Sequence, residues 1–429
     1  MPSSAFDGIV HRVAHVLADG DAGAWLALDE DIRTLIRRGA GVPPAHVWFS
    51  DDPEHPPAPA ELALALCGPD GRVREAALRH VPAVPALLPL VVIRCSDWAA
   101  PVRERAHAVL REELPGATSE DYGALLAVAL RAGERLRGDA ARELLVRTLR
   151  EGPGSMVSAQ LAGGDRAVRR LAHRIAVERG LLSPVRLAET AARDPDAVVQ
   201  DLCANAALAT AGDPPDPAVL APLLTARQGR VRAAGVTGLR RAGRAGEAEP
   251  FLYDRSALVR ACARYVLRQA GTDPLPLYRA ACASGLEAAA GMPPHAAPGL
   301  AECGDRTTDG PTLWALTGHE RPEVRAGAVA GLRLLDAVRP ERLVSLLDDR
   351  SPRVVRETAK ALRPWSDHVP AGALVRPRST RPSQDRSAAP SEAGGDRHEG
   401  GAPEPRRRSR TRRVLDLVRR HIRPWTRGT

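Results

Sequence analysis

A pattern built on the dipeptide Val-Arg recurs along the chain, and a recurring unit constrains the fold more than any other feature. WAAPVRERAHAVL and RSALVRACARYVL, for example, both place Val, then Arg, then a small residue four positions after the Val. The Val positions are 73, 102, 168, 199, 231, 259, 324 and 355, and the copy at 199 has Gln200 instead of Arg. From 73 to 355 there are 282 residues and nine periods, so the unit is about 31 residues long. Two eroded copies are therefore expected near positions 135 and 291.

The spacing within each copy is helical, because residues at i, i+4 and i+8 share one face of a helix. Two such faces are Val102, Ala106 and Leu110, and Val259, Ala263 and Leu267. Another apolar segment and an acid-rich turn precede most copies, so each unit is predicted to be helix, turn, helix. Only 3% of residues are aromatic while 44% are apolar, which favours a core of Ala, Leu and Val between helices. A single unit cannot bury the apolar faces of its helices, so neighbouring units must stack on one another. The predicted fold is therefore an all-α, right-handed α-solenoid.

The motif D-x-x-x-V-R-x-x-A-x-x-x-L resembles the HEAT-like repeat family, in the short form that also occurs in phycobilisome-lyase-type repeats. The resemblance covers roughly residues 60 to 365 and implies stacked pairs of helices. The predicted organisation starts with an N-terminal helical cap and Pro-rich loop over 1–60 and a repeat solenoid over 61–366. A disordered linker over 367–411 and a short basic amphipathic helix over 412–425 follow.

The arginine of the repeat has two interpretations: a ladder of phosphate ligands, or a structural side chain that reaches back to the preceding turn. Most copies have an acid four to seven residues before the arginine, which favours the structural role. Arg232 has no such acid and is the weakest case. The repeat arginines are Arg74, Arg103, Arg169, Arg232, Arg260, Arg325 and Arg356.

The net charge of +9 is concentrated at the C-terminus. Residues 371–429 hold 15 Arg and 6 acidic residues, whereas residues 1–370 hold 46 basic and 46 acidic residues. Electrostatic attraction to nucleic acid or to an anionic membrane is therefore assigned to residues 406–427 and not to the repeat region.

The segment PRRRSRTRRVLDLVRRHIRPW predicts a short helix with one apolar face and several arginines around it. Such a segment suits an anionic membrane, nucleic-acid phosphates or the groove of a partner, or it remains a solvated tail. Its candidate anion-binding residues are Arg406, Arg407, Arg408, Arg410, Arg412, Arg413, Arg419, Arg420 and Arg423.

Three aromatic residues are candidates for contact with a partner protein: Trp48, Phe49 and Trp425. Trp48 and Phe49 lie in the Pro-rich stretch, where packing onto the first repeat is the alternative.

Enzymatic motifs are missing from the sequence, which contains no Walker loop, HExxH or GxSxG. Deoxyhypusine hydroxylases, which share the repeat, need several His-Glu pairs, but the repeat region has only His319-Glu320. DNA glycosylases of HEAT-like type grip DNA with a strongly basic surface, whereas this region is neutral overall. Phycobilin lyases have no comparable motif to test, so a lyase-like enzyme stays a lesser alternative. The sequence favours a non-enzymatic protein that needs no cofactor.

The six cysteines form no CxxC pair, and the N-terminus lacks the apolar stretch of a signal peptide. We therefore expect a cytoplasmic protein with reduced cysteines. The predicted function is a scaffold that binds a protein or peptide along the solenoid surface, with the basic tail as an accessory anchor.

Overall fold

The computed structural model describes residues 4–38, 45, 49–50, 57–133, 137–287 and 291–368. Within these residues all regular secondary structure is helical, and successive helices pack on one another in a repeat-like order. The prediction of an all-α protein is confirmed. The predicted linker over 367–411 and helix over 412–425 lie outside the described residues, apart from 367 and 368.

Two compact units divide the chain. The first comprises Met1–Ser183 and Asp194–Cys203, and the second comprises Pro184–Arg193 and Ala204–Thr429. The helices of the first unit are α1 (Ser4–Asp19), α2 (Ala22–Arg37), α3 (Pro59–Cys67), α4 (Gly71–Leu78), α5 (Leu88–Arg94), α6 (Ala100–Glu113), α7 (Ser119–Ala132), α8 (Asp139–Glu151), α9 (Gly154–Leu161) and α10 (Arg166–Glu178). Short 3-10 segments occur at Val81–Ala83, Pro85–Leu87 and Leu114–Gly116.

The second unit begins with α11 (Pro184–Arg193), and α12 (Ala197–Thr210) contributes to both units. The following helices are α13 (Pro217–Thr225), α14 (Gly229–Arg241), α15 (Ala257–Gln269), α16 (Pro274–Glu287), α17 (Ala296–Ala301), α18 (Arg306–Leu316), α19 (Pro322–Leu334), α20 (Pro340–Leu343) and α21 (Pro352–Leu362). The 3-10 segments of this unit are Ala245–Tyr253, Val344–Asp348 and Arg363–His368.

Helix starts follow local chemistry. Asp70 accepts a hydrogen bond from the Arg72 amide at the start of α4, and Asp165 accepts from the Ala167 and Val168 amides at the start of α10. These carboxylates satisfy amide groups that have no partner within the helix. α6, α19 and α21 instead have proline in their first turn, where no amide hydrogen is needed.

The apolar face that the repeat predicts is buried in the second helix of most repeat copies. In α15, for example, Val259 and Ala263 are completely buried and Leu267 is 3% exposed. Each such Val or Leu contributes about 1.5–3 kcal/mol through burial. Helices also begin near the two expected eroded copies, at Asp139 for α8 and at Ala296 for α17.

The last copy shows that the predicted register was wrong by one residue. Val354 is completely buried in α21, whereas Val355 is partly exposed and Arg356 is exposed. The small residue four positions after Val354 is Thr358, which is also completely buried. The sequence SPRVVRET contains two adjacent valines, and the Val-Arg dipeptide selected the wrong one.

Glycines let the two helices of a repeat copy approach each other closely. A Cβ atom at Gly235 of α14 would lie 2.9 Å from the Leu224 amide nitrogen at the end of α13. A Cβ atom at Gly238 would lie 2.7 Å from a methyl group of Leu220. The backbone atoms near Gly235 cannot move aside easily, so packing requires a glycine there, whereas the leucine methyl group near Gly238 can shift.

Candidate functional site

Arg74 is the first repeat arginine, and it joins two consecutive turns of the first unit. Its guanidinium donates to the carbonyl oxygens of Gly68 and Pro69 in its own turn, at 2.9 and 2.8 Å. It also donates two hydrogen bonds to the Asp97 carboxylate in the next turn, at 2.9 and 2.8 Å. Arg74 is 1% exposed, so it is not accessible to a ligand.

Two arginines of the second unit repeat this geometry. Arg232 donates to both carboxylate oxygens of Asp254, at 2.8 and 2.7 Å. Arg325 makes the same paired contact with Asp349, at 2.8 and 2.9 Å. Each also donates two 2.8 Å hydrogen bonds to carbonyl oxygens of its own turn. Arg232, which has no acid upstream, is therefore as fully bonded as the others, because its acid lies 22 residues downstream.

The remaining repeat arginines make only part of this set of contacts. Arg169 lies 3.7 Å from Asp194, and Arg103 donates to the Asp97 carbonyl at 2.8 Å. Arg260 pairs with Glu302. Arg356 lies one residue outside the register and has no ion-pair partner within the described part of the chain.

Two of the turn aspartates, Asp97 and Asp254, each accept hydrogen bonds from two repeat arginines. The Asp254 carboxylate accepts from Arg232, and its backbone carbonyl accepts from Arg260 at 2.7 Å. Asp97 does the same for Arg74 and Arg103. Each carboxylate also accepts the amide hydrogen two residues later, which tightens the turn before the second helix. Asp97 and Asp254 thus each link the arginines of two consecutive copies by charge-assisted hydrogen bonds, which gives these arginines a structural role.

These bonds lower the pKa of two turn carboxyls, those of Asp254 and Asp349. For Asp254, burial acts to raise the pKa, but hydrogen bonds from Arg232 and the Ser256 amide outweigh it and the pKa is lowered. For Asp349 the hydrogen bond from Arg325 is the main cause of a lowered pKa.

His319 occupies the turn position that Asp254 and Asp349 hold in other copies. Its Nδ1 accepts a 3.0 Å hydrogen bond from the backbone amide of Arg321, two residues later. The carboxylates of Asp254 and Asp349 accept a hydrogen bond from the corresponding amide in their own turns. The Nε2 atom of His319 is buried without a hydrogen-bond partner in the described structure. The His319-Glu320 pair therefore forms part of a turn.

A buried ion network connects α2 to the first turns. Arg94 donates to Asp29 and also, at 3.3 Å, to Asp97. Arg94 and Asp29 are 1% and 2% exposed. Paired charges at this depth hold α2 against α5.

A second cluster centres on Glu302, which accepts hydrogen bonds from Arg260 and, at 2.6 Å, from Arg264. The Tyr278 hydroxyl nearby donates to the Leu252 carbonyl at 2.7 Å. Burial is the main reason that the pKa of Tyr278 is raised to about 12. Every group in this cluster has a protein partner, so its geometry is that of a packed core.

Reactive chemistry has little support among the described side chains. Burial raises the pKa of the Cys95, Cys203 and Cys262 thiols to about 12, which disfavours the thiolate. No group of three or more His, Cys, Asp or Glu side chains in the described residues is arranged to hold a metal ion. None of the helices in this part of the chain is long and apolar enough to cross a membrane.

Two adjoining cavities on the first unit form the strongest candidate site. The first, of about 850 Å³, is lined by the α1–α2 turn, the start of α7 and the α9–α10 turn. The second, of about 620 Å³, is lined by the end of α1, the start of α5 and the α6–α7 connection. Gly20, Trp25, Glu120 and Ala124 line both cavities. We refer to the two cavities together as the N-terminal groove.

Trp25 forms the apolar wall that the two cavities share. It is 5% exposed, and because it lines both cavities, its accessible edge belongs to the groove. The groove thus has one edge of a largely buried aromatic ring in its wall.

The groove is acidic at its second cavity, which Glu113, Glu120 and Asp121 line. No Lys, Arg or His occurs among the described residues that line this cavity. Asp121 caps α7 with Thr118, whereas Glu113 and Glu120 have no ion-pair partner among the described residues. Two arginines line the first cavity: Arg131 pairs with Asp165 at 2.7 Å, and Arg166 pairs with Asp196.

The structure tests the predicted partner-binding residues only in part. Phe49 packs against the core and makes an edge contact with His80, with ring centroids 6.3 Å apart, so packing onto the first repeat is its role here. Trp48, Trp425 and the arginines from Arg406 to Arg423 lie outside the described residues. The sequence did not indicate the N-terminal groove, because its lining comes from turns and small residues that form no motif.

Comparisons with known proteins add little to this picture. No family model matches the chain, and no curated protein matches it. Among solved structures, the chain is similar to the crystal structure of an engineered protein from the Northeast Structural Genomics Consortium. The two share 18% identity over 83% of this chain and 98% of that chain, with a TM-score of 0.22. The description of the fold therefore rests on the helices themselves.

Proposed function

We propose that the protein is a non-enzymatic scaffold that binds a protein or peptide in the N-terminal groove. The observation that carries this proposal is the groove itself, with Trp25 as an apolar wall between two open cavities. Clefts that bind ligands combine apolar surface with a few polar groups that are free to pair. The carboxylates of Glu113 and Glu120 supply those polar groups.

The scaffold is proposed to be a right-handed α-solenoid of HEAT-like repeats. Alternating helices and turns linked by Arg74 to Asp97, and by Arg232 to Asp254, support this proposal. In a repeat array, stability comes from contacts between neighbouring units, and the bonds across turns supply such contacts. A rigid array of this kind presents a binding surface at a small cost in conformational freedom.

The proposal is tested by blocking the groove with one substitution. Ala124 is exposed and lines both cavities, so Ala124→Arg places a long side chain in the groove without disturbing the core. Ala140→Arg is the matched control, because Ala140 is exposed on α8 of the same unit and lines neither cavity. Full-length protein is used to capture partners from a nuclease-treated lysate. We expect Ala124→Arg, but not Ala140→Arg, to lose specific partners, and equal capture by both variants would refute the proposal.

A second candidate function is attachment to nucleic acid or to an anionic membrane through residues 406–427. This candidate is supported by the charge of residues 371–429, which contain 15 Arg and only 6 acidic residues. Neutralising several phosphates makes affinity fall steeply as the salt concentration rises. Binding of the full chain to duplex DNA and to vesicles with anionic lipid, measured over a range of salt concentrations, tests this candidate. Affinity that is weak and independent of salt would exclude it.

A further inference from the structure

We infer that the second unit has a docking surface of its own, a groove between α11 and α13 that binds an acidic peptide segment of a partner protein. The groove has a volume of about 630 Å³, and every residue that lines it belongs to the second unit. We refer to it as the α11–α13 groove. The inference does not depend on the N-terminal groove, which lies in the first unit.

The apolar part of the α11–α13 groove is accessible to a ligand. Its lining residues Ala218 and Ala221 are exposed, and Val185, Ala192 and Pro222 are partly exposed. Binding clefts place accessible apolar surface beside a few polar groups that orient the ligand. The floor of this groove therefore suits an aliphatic side chain of a partner.

The polar groups of the groove are arginines on consecutive turns. Arg193 ends α11 and Arg227 follows α13, and both are exposed and line the groove. Neither forms an ion pair in the part of the chain that the structure describes. The next turn adds Arg255, which is also exposed and donates a 2.6 Å hydrogen bond to the Arg227 carbonyl. These side chains form a local positive surface on a repeat region that is neutral overall.

The acids closest to this positive surface are already paired. Glu189 is the one acidic residue among those that line the groove, and it pairs with Arg186 at 2.7 Å. Asp254, which precedes Arg255, accepts two hydrogen bonds from Arg232. The arginines of the groove are therefore left to pair with carboxylates from outside the chain.

A proline in α13 favours a peptide as the ligand. Pro222 has no amide hydrogen, so the helix lacks the usual hydrogen bond to the carbonyl oxygen of Ala218, four residues earlier. Both residues line the groove, and residues at i and i+4 share one face of a helix. An amide hydrogen of a peptide backbone can pair with that carbonyl, whereas the phosphate backbone of a nucleic acid has no such donor.

The preferred ligand is thus a segment in which carboxylates alternate with apolar residues. The carboxylates pair with Arg193 and Arg227, and an apolar side chain enters the space between α11 and α13. Arginine suits this role because its planar guanidinium donates two parallel hydrogen bonds to one carboxylate.

Photo-cross-linking of the full-length protein tests the inference. The probe is a synthetic peptide of alternating Glu and Leu, with a photoreactive group in place of one Leu, and the control peptide has Gln instead of Glu. Mass spectrometry measures cross-links to residues 184–193 and 217–227, which contain the groove. Cross-links to residues 406–423 are measured separately, because the arginines of that segment attract any acidic peptide.

Arg193→Gln/Arg227→Gln is the test variant, and Arg240→Gln/Arg268→Gln is the matched control. The control arginines are exposed in the last turns of α14 and α15 and do not line the groove. We expect cross-links of the Glu peptide to the groove to fall about fivefold in the test variant, because two exposed ion pairs are lost. The control variant should match wild type. Ala221→Gln, which keeps the charge but narrows the apolar floor, should also reduce these cross-links.

Three results would overturn the inference. The first is an equal yield of groove cross-links in the test and control variants. The second is an equal yield in the groove for the Glu and Gln peptides, since charge would then have no role. The third is displacement of the probe from the groove by excess single-stranded DNA as effective as displacement by unlabelled Glu peptide. That result would assign the arginines to nucleic acid instead of an acidic peptide.

Discussion

The carboxylate of Asp97 accepts two hydrogen bonds from Arg74, which lies 23 residues earlier in the chain. The carbonyl oxygen of the same aspartate accepts a hydrogen bond from Arg103, in the following helix. One residue thus joins the second helices of two consecutive copies. The same arrangement recurs at Asp254, so the repeat encodes a bond between copies as well as a buried face.

The Arg325–Asp349 pair should be strongly coupled. Arg325→Met leaves the mostly buried Asp349 carboxylate unpaired, and we expect a loss of about 3 kcal/mol in the free energy of unfolding. Arg325→Met/Asp349→Asn removes both charges and should recover part of that loss. Urea unfolding of Arg325→Met, Asp349→Asn and the double variant measures the coupling between the two residues. Additive losses in the free energy of unfolding would show that the ion pair does not contribute to stability.

Acid should destabilise the protein through the same aspartates. The pKa of Asp349 is lowered in the folded protein, so its contribution to stability is complete above the unfolded pKa of about 3.9. That contribution is lost as the pH falls through the lower, folded pKa. The difference in unfolding free energy between wild type and Asp349→Asn should therefore be constant near neutral pH and shrink below about pH 4. A difference that does not change with pH would contradict this assignment.

Gly235→Ala should destabilise the protein, although alanine normally favours a helix. An exposed helical Gly→Ala substitution stabilises by up to about 1 kcal/mol. At Gly235 the new Cβ atom would lie 2.9 Å from the Leu224 nitrogen, and we expect a net loss of about 1–3 kcal/mol. Gly8→Ala in α1 is the control, because no atom lies within 4 Å of its Cβ position. Thermal unfolding should shift in opposite directions for the two variants.

Ala263→Asp should be among the most damaging substitutions in the second unit. Ala263 is completely buried in α15, and an unpaired carboxylate there costs more than about 4 kcal/mol. Ala283→Asp on α16 places the same charge at an exposed position and should change the melting temperature little. Equal melting temperatures for both variants and wild type would mean that the buried face of the repeat is assigned incorrectly.

The periodic positions of the fold were predictable from the sequence, because burial within a helix follows local spacing. Val259 and Ala263 lie on the core face that the repeat indicates. The partner of each arginine was not predictable from the upstream acids, because the bond crosses to the next copy. The carboxylate of Asp70, for example, caps the start of its own helix, and Arg74 pairs with Asp97 instead.

The candidate site was still harder to predict. Gly20 and Trp25 lie far from Ala124 in sequence and the three belong to no pattern, so only the packing of α1, α2 and α7 brings them together. The eroded copies were located only approximately for a similar reason, since a degenerate unit keeps its helix after it loses the Val-Arg dipeptide.

Hydrogen exchange of the full-length protein, with and without a captured partner, tests the role of the N-terminal groove most directly. Binding in the groove predicts slower exchange in residues 16–25 and 113–125, which contain its acidic and aromatic lining. Ala124→Arg should abolish that protection, and Ala140→Arg should preserve it. Unchanged exchange in these two segments, with protection confined to other parts of the chain, would contradict the assignment of the groove as the binding site.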